Sequence, residues 1–468
     1  MSCSLLLWLL ACGPTPVGGG DGPSADGGTT DGGGTDGDGG TDDGGTDGGG
    51  TDGGGTGGTD GGGTDGGSTD GGSTDSGGTD GGGTAPIPSL TVEEIGDQDP
   101  DLDGWIFDPL TVHEVELTLS DEARAALDAS PWDYVEGSVR FDGVQLDRVG
   151  VRLRGKIGSF RYLSGKPKLK IDFNQYVEDQ RFHGLETLSL NNSVVDCSYL
   201  KEPMAYRVMR DAGIIASRTS WARVTINGAT YGLYVLVETP DDSFLAANFD
   251  EPDGNLYDGK YVWYADGSYE LLDFATGDDL LFQLEEGTDV GHADITAVSD
   301  AVRAFWGSDR FEERLSMLVD TEQLHRVLAA EQWVGHNDGY AMNTNNYRVY
   351  FDPLDGRMRM VPWDFDYSFL QDWEWGMSWS WPAGSMASGC WRDPNCHTAQ
   401  AEAVDTLVET LDVEALLALY DEMAELTYGP MRVDPRRECS YASVMASRDS
   451  LRPWFEARGD ELRSSWGL

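Results

Sequence analysis

From His113 to Leu119 apolar and polar residues alternate, the two-residue period of a strand with one buried face. Ser120-Asp121-Glu122 follows as a cap and first turn, predicting a short helix through Leu127. The alternation resumes over Tyr134–Phe141, Val144–Leu153 and Leu169–Phe173, joined by Asp142-Gly143 and by a Gly/Ser-rich loop. In the last of these strands Lys168, Lys170 and Asp172 share one face and Leu169, Ile171 and Phe173 the other, so one side packs and the other is charged. Between Ser198 and Ala212 the period changes: Leu200, Met204, Val208 and Met209 fall at helical spacing, and Gly213 supplies a C-cap. Thr219–Ile226, Asn227-Gly228 and Tyr231–Glu238 then read as a hairpin. Helical periodicity returns over Ala401–Tyr420 and Ser440–Arg458. Strands first and helices last predict an α+β fold.

Composition confines that fold to the later part of the 468 residues. From Gly13 to Thr84 the chain is Thr-Asp-Gly-Gly in loose repetition, with 14 Asp and no basic residue. Such a segment buries too little apolar surface to offset its ordering entropy, so residues 13–90 are expected to be a disordered tether spanning about 50 Å or more. The formal charge is −50, and without those 14 Asp the remainder still holds 68 acids against 32 bases. No basic stripe is available to neutralise a nucleic-acid backbone, so nucleic acid is not an expected partner. A phosphate pocket must then be a local exception built from a few Lys or Arg and from metal.

Leu5 to Ala11 form an apolar run too short to span a bilayer but suited to a signal sequence, and Leu9-Leu10-Ala11-Cys12 resembles a bacterial lipobox. Residues 1–12 are therefore expected to be a lipoprotein-type signal with Cys12 as the lipidation site, although no basic residue precedes Arg124. Ordinary secretion and an unprocessed cytosolic chain remain the alternatives. The lipid would be the protein's only membrane contact, holding it at the membrane or cell surface. Among the other cysteines, Cys390 and Cys396 are the nearest candidate disulfide pair, with free buried thiols as the alternative. Metal binding there is disfavoured because His397 is the only imidazole nearby in sequence. Asp99-Pro100-Asp101-Leu102-Asp103-Gly104 opens like a calcium loop, yet Leu110 stands at the twelfth position. The Trp-rich run Trp373 to Trp391 is expected to be a packed loop rather than a sugar platform.

The chemistry concentrates in one stretch. His336-Asn337-Asp338 is followed by Asn343, by a strand from Tyr347 to Tyr350, by an Asp355-Gly356 turn and by Val361-Pro362-Trp363-Asp364-Phe365-Asp366. His-x-Asp-x4-Asn is the spacing of a protein-kinase catalytic loop, and Asp-Phe-Asp stands where Asp-Phe-Gly would. An Asp to orient a hydroxyl, an amide and further carboxylates returned by a hairpin supply what phosphoryl transfer needs, including hard oxygen ligands for magnesium or manganese. A lysine projecting from the charged strand face suits the phosphates of a nucleotide, and Lys170 is the first choice. Glu202 in the helix could pair with that lysine, or be a surface residue. Glu238-Thr239-Pro240 lies where an adenine-contacting hinge would. The loop Arg154-Gly155-Lys156-Ile157-Gly158-Ser159 is not a Walker A motif.

Several ordered blocks together resemble the CotH kinase family. They are Arg152-Leu153-Arg154-Gly155, Lys166-Pro167-Lys168-Leu169-Lys170, Leu188-Ser189-Leu190-Asn191-Asn192, Tyr231 to Glu238, Gly254-Asn255-Leu256-Tyr257, Asn345-Asn346-Tyr347 and Pro362 to Asp366. The resemblance implies an atypical protein-kinase-like two-lobed fold over 91–468, with a β-rich N-lobe at about 110–240 and an α-rich C-lobe at about 241–468. It implies ATP and a divalent metal as cofactors and a protein Ser or Thr as acceptor. On that basis Lys170 would contact phosphates, with Lys166, Glu202 and Glu238 also on the nucleotide side. Asp338 would be the catalytic base, and Asn343 or Asn346 with Asp364 and Asp366 would hold metal. A second class stays open: a surface-anchored binding or adhesion module that keeps the fold but transfers no phosphate, its Asp and Asn merely organising turns around the hairpin.

Overall fold

The computed structural model describes residues 104–468 except 157, 260, 265–267 and 276–277. The lipobox, the tether and most of the calcium-like loop lie outside the described residues.

Seven strands close into a barrel in the order β1-β2-β3-β4-β5-β7-β6. They are β1 Val112–Leu119, β2 Val135–Phe141, β3 Val144–Arg154, β4 Lys168–Asp172, β5 Thr187–Asn191, β6 Thr219–Ile226 and β7 Ala229–Glu238. Neighbours are antiparallel except β6 with β1, where a parallel pair completes the ring and leaves no open edge. The helix Asp121–Ala129 begins where expected, with the Ser120 hydroxyl accepting from the Ala123 amide. Alternation sends Val151, Leu153, Leu169, Ile171, Leu188 and Leu190 into the barrel interior. The outer face carries Arg152 opposite Lys170 and Arg154 opposite Lys168 in the β3–β4 register.

Beyond the barrel, a four-stranded sheet in the order β11-β8-β12-β13 contains β8 Asn255–Asp258, β11 Gln283–Glu286, β12 Tyr347–Asp352 and β13 Arg357–Pro362. The short strands β9 Val262–Trp263 and β10 Tyr269–Glu270 pair with each other. The helix Thr321–Val334 is buried at nearly every position, so it is an interior strut rather than an amphipathic cover. The fold is thus α+β, a β-rich region followed by a largely helical one. One core cluster joins the outer faces of β6 and β7, through Trp221, Leu233, Val235 and Val237, to the helix Lys201–Asp211 and the helices after residue 293.

The expected helix from Ala401 to Tyr420 is two helices, Pro394–Thr410 and Val413–Arg432. Asp412 interrupts them by capping the second, its carboxylate accepting from the Ala415 amide, a local signal that outcompetes the continuing apolar period. The closing helix runs over Tyr441–Trp466.

Two expected nucleotide contacts prove to be structural. Lys166 is 1% exposed and its ammonium meets Asp434 at 2.6 Å, the Leu233 carbonyl at 2.7 Å and the Tyr199 hydroxyl at 3.3 Å. Glu238 is equally buried and takes a bidentate ion pair from Arg218 at 3.0 and 2.6 Å. Lys166 stood in a family block and Glu238 at the expected hinge, but the ammonium of one and the carboxylate of the other are committed to partners inside the protein. Beside the Lys166 pair a disulfide joins Cys197 to Cys439 across 242 residues, binding the barrel side to the C-terminal helices. Asp434→Ala, which strands the Lys166 ammonium, should lower stability by about 3–5 kcal/mol. The double replacement Lys166→Met with Asp434→Leu should lose less; equal losses in a denaturant titration would discount the charge pair as the source.

Candidate functional site

The buried strut Thr321–Val334 ends at Gly335, whose φ of +58° and approach to the Leu370 carbonyl and the Trp454 ring leave no room for a Cβ. The chain turns there and presents His336-Asn337-Asp338. His336 is fully buried, stacks on Phe365 with ring centroids 4.5 Å apart, and donates from Nε2 to the Asp364 carbonyl at 3.2 Å. Asn337 donates to the Gln371 carbonyl at 2.9 Å, and the Phe369 amide reaches the Val334 carbonyl at 2.6 Å. The segment carrying Asp338 is therefore stitched to the segment carrying Asp364 and Asp366.

Asp338 is the focus of three amide side chains. Asn343 donates to Oδ1 at 2.6 Å, while Asn345 and Asn346 donate to Oδ2 at 3.2 and 3.0 Å. Burial raises its proton affinity and the Asn343 amide opposes that rise. Asn343 also donates to the Tyr261 hydroxyl at 2.5 Å. Both Asn343 and Asn346 thus reach the same carboxylate, with Asn345 as a third donor that sequence reasoning had not assigned.

Across from Asp338, the β12–β13 hairpin delivers Asp364 in left-handed backbone at φ +49°, a conformation Asp tolerates better than most residues. Tyr206 of the helix Lys201–Asp211 packs edge-on against Phe365 at 4.7 Å, and its hydroxyl accepts from the Asp364 amide at 3.1 Å. The strand lysine that meets this turn is Lys168. Its ammonium, on a side chain 2% exposed, lies 3.0 and 2.9 Å from the two oxygens of Asp364 and 2.8 Å from Oδ2 of Asp366. Burial disfavours its charge, but the two carboxylates hold it well above the ordinary lysine value. Asp364 responds in the opposite sense: burial would raise it, yet Lys168 and Arg154 hold it below the usual carboxylate range. Asp366 is pushed up to about 7 by burial and by the neighbouring Asp364 charge.

Lys170, expected in that position, lies two residues further along the same face and is set against Asp241 and Glu285. Burial depresses its ammonium, with Asp241 opposing. Glu202 is 2% exposed and accepts from Asn191 at 2.6 Å. Its carboxyl is raised well above the ordinary value by burial and then by Asp364, with Lys168 opposing, so it is within electrostatic reach of Lys168.

Two arginines missed from sequence complete the cluster. Arg154 and Arg348 lie over the Trp363 ring at 5.2 and 4.6 Å from its centroid. Arg348 is 7% exposed, and its Nε and Nη1 have no hydrogen-bond partner among the described residues. Arg154 was visible as an alternating charge beside Lys168; Arg348 sits in an apolar strand and gave no signal. Gly158, after β3, lies against Tyr367 beside Asp366, since at φ +82° a Cβ there would be driven into the Tyr367 hydroxyl.

Carboxylates, amides and cations gathered on one buried surface could hold a divalent metal and the phosphates of a nucleotide. A family model described as CotH kinase protein matches residues 151–462, about two thirds of the chain. The chain belongs to the CotH kinase family. It is similar to the inner spore coat protein H of Bacillus subtilis (strain 168), with 22% identity over 208 residues, 42% of this chain and 54% of that protein. The chain therefore spans about half the length of that curated relative. Among solved structures it matches the Shewanella oneidensis MR-1 toxin–antitoxin system HipA, HipB and operator DNA complex at 13% identity, over 66% of this chain and 68% of that one. The TM-score of 0.31 is too low to define a shared fold.

Elsewhere, Cys390 and Cys396 are bonded to each other, and His325 of the strut lies 4.0 Å from the Cys390 sulfur. In the Trp-rich run Trp379 packs on the core and Trp375 meets Tyr367 edge-on at 5.0 Å, whereas Trp373 and Trp381 are exposed.

The start of the Asn343 turn is held by Asp273, which accepts from Tyr340, from the Ser385 amide and from the Ser385 hydroxyl. Burial pushes its carboxyl up to about 6. A folded value above the unfolded one means the native state keeps the proton longer, so this contribution to stability is full at low pH and is lost as pH rises from about 4 to 6. Asp273→Asn should flatten the melting temperature across that window relative to the parent; parallel pH profiles would refute the assignment.

Proposed function

We propose that the chain is an ATP- and divalent-metal-dependent protein kinase with Ser or Thr acceptors, the barrel and the helical part serving as the two walls of its cleft. The observation that carries this reading is the meeting of Lys168 from the barrel with Asp364 and Asp366 from the hairpin, beside an Asp338 held by three amides. The residues fit the cofactors: Asp364 and Asp366 offer hard oxygen ligands, with Asn343 or Asn346 as the amide ligand, and Arg348 holds two unpaired buried nitrogens. Lys170 and Arg154, on the same outer face as Lys168, would take phosphate oxygens. Bound metal would neutralise charge on the transferred group.

Asp338 would accept a hydrogen bond from the acceptor hydroxyl and align it for in-line attack. The three amides fix the carboxylate's orientation in advance, which removes a rotational cost at the moment of reaction. Burial raises Asp338 towards a more proton-accepting carboxylate, which suits a base. The loop at Gly158, lying against Tyr367, would help exclude water. Family membership supports kinase chemistry; export, a lipid anchor at Cys12 and a cell-surface protein substrate are part of the same proposal and rest on the sequence.

The test is transfer from γ-labelled ATP by the full chain with magnesium or manganese. Asp338→Asn should reduce label incorporation about 10²-fold or more while nucleotide binding persists. Asp364→Ala should lose metal-dependent nucleotide binding as well as transfer. Nucleotide binding absent from the parent at every metal concentration would instead leave the fold as a surface binding module.

A further inference from the structure

The contact of Lys168 with both carboxylates limits what else can bind there. Kinase-type sites with two divalent ions rely on a carboxylate and an amide to hold a pair of dications on one polyphosphate. Here the position shared by Asp364 and Asp366, the one from which a single cation touches both, is filled by the Lys168 ammonium. Lys168 engages both oxygens of Asp364 but only Oδ2 of Asp366. Each carboxylate oxygen accepts more than one contact, so lone pairs remain for a further cation, and it is the charge and position of Lys168 that limit how many.

Charge counting points the same way. Two carboxylates face Lys168, and Arg154 acts on Asp364 as well, so the turn is close to neutral before any metal arrives. A first dication would be drawn in by the polyphosphate and by the free lone pairs. A second would lie within a few ångströms of an ammonium whose side chain is 2% exposed and is therefore poorly screened by solvent. The ammonium is held in that position by this burial and by an Asp364 fixed through Tyr206 and His336; Glu202 is the further carboxylate within its electrostatic reach.

We propose that Lys168 serves as a built-in monovalent cation in one of the two cation positions offered by Asp364 and Asp366, so that the site holds one divalent ion per chain. The inference rests on the kinase reading and specifies its metal requirement. Lys168 is then a positioning residue, orienting both carboxylates towards the ion.

The experiment is Mn²⁺ titration of the full chain, followed by the paramagnetic resonance of free Mn²⁺, with saturating imido analogue of ATP. The parent should bind one ion, Lys168→Arg one, and Lys168→Met two. Because Lys168→Met leaves two buried carboxylates unpaired, its folding is checked by thermal melting, and Mn²⁺ should raise its melting temperature by more than it raises the parent's. Two ions in the parent, or one in a cooperatively melting Lys168→Met chain, would overturn the inference and leave the kinase reading intact. No ion in the parent would overturn both.

Discussion

The position of every other group at the site depends on one buried ion cluster, the Lys168 ammonium between Asp364 and Asp366. Taking three charges out of water costs several kcal/mol per ion, and the mutual attraction repays it only with good geometry. The distances of 2.8–3.0 Å meet that demand. The cluster also has a topological consequence. Lys168 belongs to the barrel and the two carboxylates to the β12–β13 hairpin, so a shift of either element by one residue pair would bury unpaired charge. The ion cluster therefore selects one docking of the barrel against the rest of the protein, a specificity that apolar packing alone supplies less sharply.

Opposite this cluster a second set of ties fixes the same docking. Lys166, two residues before Lys168, is paired with Asp434, and Cys197 is bonded to Cys439. Arg448 of the last helix donates to the Ser198 carbonyl at 3.0 Å. One short stretch, Lys166 to Lys168, thus anchors the barrel at two places through side chains of the same type with different partners. Between these ties the strut Thr321–Val334 supplies rigidity, and the polar turns around Asp338 direct most of their hydrogen bonds to each other, with His336 Nδ1 and Asn337 Oδ1 left without a hydrogen-bond partner among the described residues.

Much of this was legible in the chain. Alternation located β1 to β4 and the β6–β7 hairpin, and the spacing of Asp338, Asn343, Asp364 and Asp366 singled out carboxylates and an amide that the fold gathers on one surface. A two-residue period assigns a side chain to a face but says nothing of where along the strand a partner waits. The period therefore could not tell that Lys168, and not Lys170 two residues on, meets the Asp364 turn. The ion pairs of Lys166 and Glu238 were hidden for another reason: a charged residue in a family block or at an expected hinge shows no partner in sequence, and Asp434 lies 268 residues from Lys166. Arg348 and the Cys197–Cys439 bond are likewise products of tertiary contact. His325, brought beside Cys390 by the strut, was equally invisible, which exposes the weakness of judging a cysteine pair by its neighbours in sequence.

The charged outer face of β3 and β4 is itself informative. Like charges set directly opposite in a sheet destabilise it, yet Arg152 faces Lys170 and Arg154 faces Lys168. Each cation has found some local relief: Arg152 over the Tyr134 ring, Arg154 over Trp363, Lys168 between its carboxylates and Lys170 towards Asp241. Relief by a ring face or a distant carboxylate is partial, so the repulsion is reduced and not removed. In a chain with a formal charge of −50, four cations are gathered on one surface at that cost, each set beside a ring face or a carboxylate. An anion entering the cleft would lower the energy of the empty protein as well as gain its own contacts, so part of its binding free energy is already stored in the arrangement of these two strands.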